Sequence, residues 1–397
     1  MSESSTYNVN QASTIWALAI LASVTPSVVL LGPLIVGGLV TELGFSPQAA
    51  GNMIFAELSG AGFATFPALY WISRINWRTV LITSLITMII CNIISAFMTD
   101  PWMLGGVRFI TGIGVGSTMA ITLLTSGMTN NPERVLSFWT MGQIIFAAIG
   151  LAIMPFILPV IGLKGFYFIL AFVMAILLLP VRFMPEKGND SHKVPWSEIS
   201  SVTKRYGPIA LIGLLFFFIS VGGLWNFYER IGDSAGFDAR FIGLTLAGVS
   251  AIGVLGAISS AWLNLKWGRM TPFLIGIITL FVSMFILYGI SSQLVYILSA
   301  FLFKYGWWFI SPYLLANMST LDPSGKLMLG TNFVIGFGQA LGPLIVGFTL
   351  AEAGSTGVVD YTSAIHVGVA CMVVCCLLFY MVVKVNDRQK LVLSQAA

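Results

Sequence analysis

Apolar segments of about 20 residues or more recur along the whole chain, each long enough to cross the ~30 Å hydrocarbon core of a bilayer. They fall near 14–40, 47–72, 78–99, 101–124, 135–160 and 165–183, then near 207–230, 241–265, 271–291, 293–318, 327–351 and 360–384. Inside hydrocarbon every backbone N–H and C=O must be bonded internally, and a run of this length does so as a helix. The pattern therefore predicts an all-α membrane protein of twelve transmembrane helices. The spans divide six and six about one long hydrophilic stretch, Met184–Tyr206. Residues 1–183 are read as an N-terminal six-helix bundle, 184–206 as a linker with a short surface helix at Pro195–Lys204, and 207–397 as a second bundle. Charged residues make up 9% of the chain, where a soluble protein carries about 25%. With so few charges the net +4 gives no nucleic-acid signal, since the basic residues sit in short loops rather than on one face.

The positions of those basic residues predict the orientation. With the N-terminus inside, Arg74, Arg78, Arg134, Arg182, Lys187, Lys193, Lys204, Arg205, Lys266, Arg269, Lys326, Lys384, Arg388 and Lys390 are cytoplasmic. Only Lys164, Arg230 and Arg240 fall outside. That bias places both termini in the cytoplasm of an inner-membrane protein. The polar start of the chain, Met1–Ala12, has no Lys or Arg, so no cleavable signal is expected. Four cysteines in apolar runs (Cys91, Cys371, Cys375, Cys376) read as packed thiols, and two distant histidines give no metal site. No cofactor is expected, and the chain is expected to act as a monomer.

Two basic residues remain inside the membrane. Arg108 lies in LGGVRFITGIGVGST, where Gly105, Gly112 and Gly116 share its helix face and admit another backbone. Lys304 lies 196 residues on, and the same offset carries Gly142-Gln143 onto Gly338-Gln339. Two matches at one offset indicate an internal repeat with a cation in the same helix of each half. A cation in hydrocarbon costs roughly 2.5–3.5 kcal/mol on insertion scales, so each must face protein or water. One acid, Glu57, joins them. From the helix ends, Lys304 and Glu57 sit about 16 and 15 Å deep and Arg108 about 10 Å.

Twelve spans, a 6+6 repeat and a cytoplasmic central loop resemble the major facilitator superfamily over nearly the whole chain. Arg108-Phe-Ile-Thr-Gly112 matches its Arg-xxx-Gly helix motif well. Ser73-Arg74-Ile-Asn-Trp-Arg78 is similar to its Gly-xxx-Asp-Arg-x-Gly-Arg loop only at the basic positions, and Leu265-Lys266-Trp267-Gly268-Arg269 keeps Gly and Arg without the acid. The fifth span lacks the Gly-Pro pair of proton antiporters; a Gly342-Pro343 pair stands in the eleventh instead. The resemblance implies that spans one, four, seven and ten line a central cavity, with Arg108 and Lys304 across it from each other.

Two bases and one acid leave such a cavity about one charge positive, which suits an anion held by charge-assisted bonds. Arg108 can grip a carboxylate bidentately, with Lys304 as a mobile point charge. Its alternative role is structural, bonded to carbonyls or Glu57. Trp225, Asn226 and Tyr228 in the seventh span, Tyr305 and Trp308 in the tenth, and Gln143 and Gln339 are the candidates for holding the organic body, against the alternative that they pack helices. Trp307, Trp308 and Ser311 share the face of Lys304. Glu57 is the expected proton-coupling site or, failing that, a fixed counter-ion. Glu229 and Arg230 are an expected ion pair at the outer end of the seventh span, with a possible gating role. The reading is a secondary transporter that moves a small organic anion, a carboxylate, together with protons across the lipid bilayer. Efflux of amphipathic drugs by antiport is the alternative, though two buried bases would repel cations. The sequence holds no metal cluster or nucleophile–base pair for an enzyme, and the repeat argues against a simple pore.

Overall fold

The computed structural model describes residues 8–396 apart from 65–67, 69–70, 72–73, 131, 188–200, 264–265, 291, 323–325 and 354–359. Most of the expected linker, its surface helix at 195–204 up to residue 200, and Ser73 and Leu265 of the two loop motifs therefore lie outside the described residues. Helices account for nearly all the rest, and no strand occurs among the described residues.

The first span is broken into α1 (Ala12–Val24), α2 (Ser27–Leu30) and α3 (Gly32–Thr41). Pro33 has no N–H to return to the carbonyl four residues back, and Pro26 stands at the other break. α4 (Pro47–Phe63) follows, then α5 (Trp77–Ser95), whose N-cap Asn76 accepts from the Arg78 N–H at 2.9 Å. α6 (Pro101–Gly127) begins with Asp100 accepting from the Met103 N–H at 2.9 Å and with proline in the first turn, where a missing donor is harmless. α7 (Pro132–Ile176) is two helices joined at Gly162, whose φ of 65° and ψ of 179° suit a residue without Cβ. It covers the expected fifth and sixth spans.

After a 3-10 turn at Pro180–Phe183 come α8 (Ser201–Ser234), α9 (Ala239–Leu263), α10 (Met270–Tyr288), α11 (Gln293–Leu321), α12 (Lys326–Ala353) and α13 (Thr362–Ala396). Among the described residues, nine helical stretches are long and apolar enough to cross a membrane. Large apolar side chains stand exposed on them, Trp102 and Val160 at 84% and Leu294 at 73%. On a soluble protein such a surface would be a liability; in a bilayer it is the solvated face.

The chain forms two compact units. One comprises Met1–Leu31, Ala56–Gly150 and Phe156–His192; the other comprises Gly32–Phe55, Leu151–Pro155 and Lys193–Ala397. The core of the first joins Leu18 and Leu21 of α1, Leu81, Leu85 and Met88 of α5, Val115 and Ile121 of α6 and Met174 of α7. Glycines bring α4 and α6 together there. A Cβ at Gly112 would fall on the Glu57 carbonyl oxygen, one at Gly116 on that of Ala61, and one at Gly60 on that of Phe109. In the second unit α8 is central: its apolar window is 67% buried, against 33–56% for the other eight. It crosses α12 closely at Gly223 and Gly342, where either Cβ would strike the other helix's backbone.

Candidate functional site

The α4–α6 contact sets the first half of the site. Because Gly112 lets the α4 backbone in at Glu57, the Glu57 carboxyl lies 3.5 Å from Arg108 Nη1. Arg108 is 2% exposed and Glu57 4%. The guanidinium has further partners on α5: Nη1 donates to Asn92 Oδ1 (3.1 Å), and Nη2 donates to Ser95 Oγ (2.7 Å) and to the Cys91 carbonyl (3.1 Å). The Tyr167 ring of α7 closes it off, 5.0 Å from Cζ. Asn92, Ser95 and Cys91 follow helical spacing on one face of α5, so one helix supplies three acceptors. The remaining donor, Nε, is buried without a partner among the described residues. Arg108 is thus held inside its own unit, with no pair of free donors side by side for a bidentate grip on a ligand.

Lys304, on α11 in the second unit, is 8% exposed. Its Nζ lies 3.3 Å from the centroid of the Trp225 ring of α8 and 4.5 Å from that of Trp307, one turn along α11. Two indole faces stabilise an ammonium through their quadrupoles but neutralise nothing. Among the described residues no carboxylate pairs with Lys304 and no acceptor takes its protons.

The other expected contacts divide. Tyr228 has no exposed surface; its hydroxyl meets Ser299 Oγ at 3.1 Å, and its ring packs on Tyr296 and Phe303. Tyr305 stacks between Phe301 and Phe309, and Trp308 fills the space left by Gly253 of α9. Gln143 donates from Nε2 to the Ala22 carbonyl at 3.1 Å, tying α7 to α1. Gln339 stands at the α8–α12 crossing, its backbone 3.0 Å from where a Cβ on Gly222 would be. Asn226 donates to the Gly222 carbonyl at 2.8 Å, one turn back on α8. Arg230 pairs with Asp233 (3.1 Å) and donates to the Tyr361 hydroxyl (3.5 Å), while Glu229 turns towards Gly37 of α3. The sequence points to Trp225 as a candidate for the organic body and puts Trp307 on the face of Lys304, though neither as its cage, and it does not mark Asn92, Ser95 or Tyr167 around Arg108.

Helices long and apolar enough to span a bilayer thus bury one bonded basic residue and, among the described residues, one without a counter-charge. Residues 15–343 match the profile of the Major Facilitator Superfamily, and the chain belongs to that family. It is 21% identical over 215 residues to the gentisate transporter of Corynebacterium glutamicum, covering 49% of this chain and 48% of that one. It is 22% identical over 270 residues to the gallate transporter of Pseudomonas putida, covering 57% and 59%. The matches thus span about half the length of these curated relatives. Crystal structures of the nucleoside transporter NupG share the fold: a variant superposes with TM-score 0.75 at 14% identity over 93% of this chain and 99% of that one, and a second structure with 0.73 at 14% over 92% and 98%.

Proposed function

We propose that this secondary transporter carries a small organic anion, a carboxylate on an aromatic body, coupled to protons by alternating access. One observation carries the reading: the buried amine of Lys304 lies against two indoles and, among the described residues, has no carboxylate beside it. Desolvating a charge without a partner is costly, so the arrangement favours a ligand that brings the missing negative charge. A carboxylate meets Lys304 while an aromatic body lies against Trp225 or Trp307, which suits planar acids better than sugars. The compounds for which the two relatives are named, gentisate and gallate, are hydroxylated aromatic carboxylates and support the same class.

In this reading Arg108 is a fixed cation whose α5 partners hold it whether or not Glu57 is charged. Glu57, at 3.5 Å, is then free to gain and lose a proton without releasing it. That is the property a coupling carboxyl needs, and proton and substrate then favour each other through one shared coupling energy. The basic-residue bias supports cytoplasmic termini. The test is reconstitution in liposomes: wild type should accumulate a gentisate- or gallate-like acid down an imposed proton gradient. A protein that neither binds nor exchanges any aromatic carboxylate would end this reading.

A further inference from the structure

Two acceptor atoms on one side of α8 lack partners. Asn226 is 4% exposed and commits Nδ2 to the Gly222 carbonyl, leaving Oδ1 buried with no donor among the described residues. Three residues on, close to one turn, Oε2 of Glu229 is likewise buried and undonated. Both lie against α3. A Cβ at Gly32 would fall on Asn226 Oδ1, and one at Gly37 would sit 2.5, 2.7 and 2.9 Å from Oε2, Cδ and Oε1 of Glu229. Glycine at these two positions leaves room for the polar groups of α8 and for no larger side chain.

Among the described residues no donor reaches Glu229 Oε2. α3 reads GPLIVGGLVT, and its one hydroxyl, on Thr41, bonds the Gly37 carbonyl at 2.8 Å. Of the titratable and charged groups nearby on α8, Arg230 acts on Glu229 through its charge but pairs with Asp233 and turns to Tyr361, the residue preceding α13. On α11, Tyr296 gives its hydroxyl proton to the Tyr228 carbonyl at 2.9 Å. None of them hydrogen-bonds to Glu229. A carboxylate with a buried, undonated oxygen is a costly group; a carboxylic acid in the same place is far less so.

We propose that Glu229 is a proton-binding site, and that the α3–α8 seam closes on its protonated form. On losing the proton to water, the carboxylate needs donors that the seam does not hold, so α3 and α8 part and water enters. On regaining it, they pack again through Gly32 and Gly37. The seam is then a proton-controlled gate of the transport cycle. This rests on the chain being a transporter but not on which anion it carries.

The test uses the full chain in lipid with no organic anion present. Cysteines replace the exposed Thr41 and Ser234, at the ends of α3 and α8, in a background without the four native cysteines, and spin labels report the distance between them. The wild-type background should show one short distance at about pH 5 and a longer population that becomes dominant by about pH 9. Glu229→Gln, a permanent mimic of the protonated acid, should stay short throughout. A wild-type distance that does not change with pH overturns the proposal, as does a Glu229→Gln protein that opens like wild type. If Glu229→Gln fails to fold, the wild-type titration still decides, and Glu229→Asp should keep a pH response. Anion uptake, measured separately, can fail without touching this result.

Discussion

Arg108 and Lys304 occupy the same register of the two sequence repeats, 196 residues apart, yet one is surrounded by acceptors and the other by rings. At Arg108 an amide, a hydroxyl, a carbonyl and a carboxyl share the guanidinium. At Lys304 two indoles hold an ammonium that has no counter-charge among the described residues. A cation bonded to four neighbouring groups adds rigidity; an uncompensated one creates demand for a ligand. Under the proposed function the two halves divide the labour, one keeping its cation as scaffold and the other offering it to the substrate.

The largest effect should come from removing the scaffold cation. Arg108→Ala leaves Glu57, Asn92 and Ser95 buried without their donor and should cost about 3–5 kcal/mol of stability, as breaking a buried pair typically does. Thermal unfolding in detergent would measure it, and an unchanged midpoint would break the comparison. Lys304→Ala should do the reverse, with folding retained or improved and anion binding weakened by about 2–5 kcal/mol. Ligand titration would show whether the loss falls on affinity. Glu57→Gln should still exchange substrate across liposomes but lose accumulation driven by a pH gradient. Full gradient-driven accumulation would make Glu57 a structural counter-ion. Asn92→Ala should cost about 1–3 kcal/mol of stability, by leaving one donor of Arg108 less satisfied, with little change in affinity. If affinity falls more than stability, Arg108 belongs to the substrate after all.

Much of this was legible in the sequence, for reasons that differ from residue to residue. Arg108, Lys304 and Glu57 stand out because charge inside a twenty-residue apolar run has few explanations. Gly112 and Gly116 one and two turns beyond Arg108 signal a close helix contact, and the structure places α4 there. What surrounds each cation was not legible. Asn92 and Ser95 look like ordinary polar residues in a span, and their role depends on α5 and α6 meeting at one height. Trp225 is one aromatic in a chain that is 13% aromatic, so nothing local marks it as a partner of Lys304, 79 positions on. Arg230 of the expected Glu229–Arg230 pair acts on Glu229 through its charge but makes its close ion pair with Asp233, because residues three apart on a helix share a face and adjacent ones do not. The division of the first span into three helices was marked only by Pro26 and Pro33, which also suit a continuous kinked helix.

The most direct test of the account is equilibrium binding of an aromatic carboxylate, gentisate or gallate, to purified wild type, Lys304→Ala and Lys304→Arg at one pH, with the unfolding midpoint of each ligand-free protein measured alongside. The account predicts saturable binding to wild type, none within the same range for Lys304→Ala at an unchanged or higher midpoint, and partial recovery with arginine. Wild-type affinity in a folded Lys304→Ala protein would contradict it.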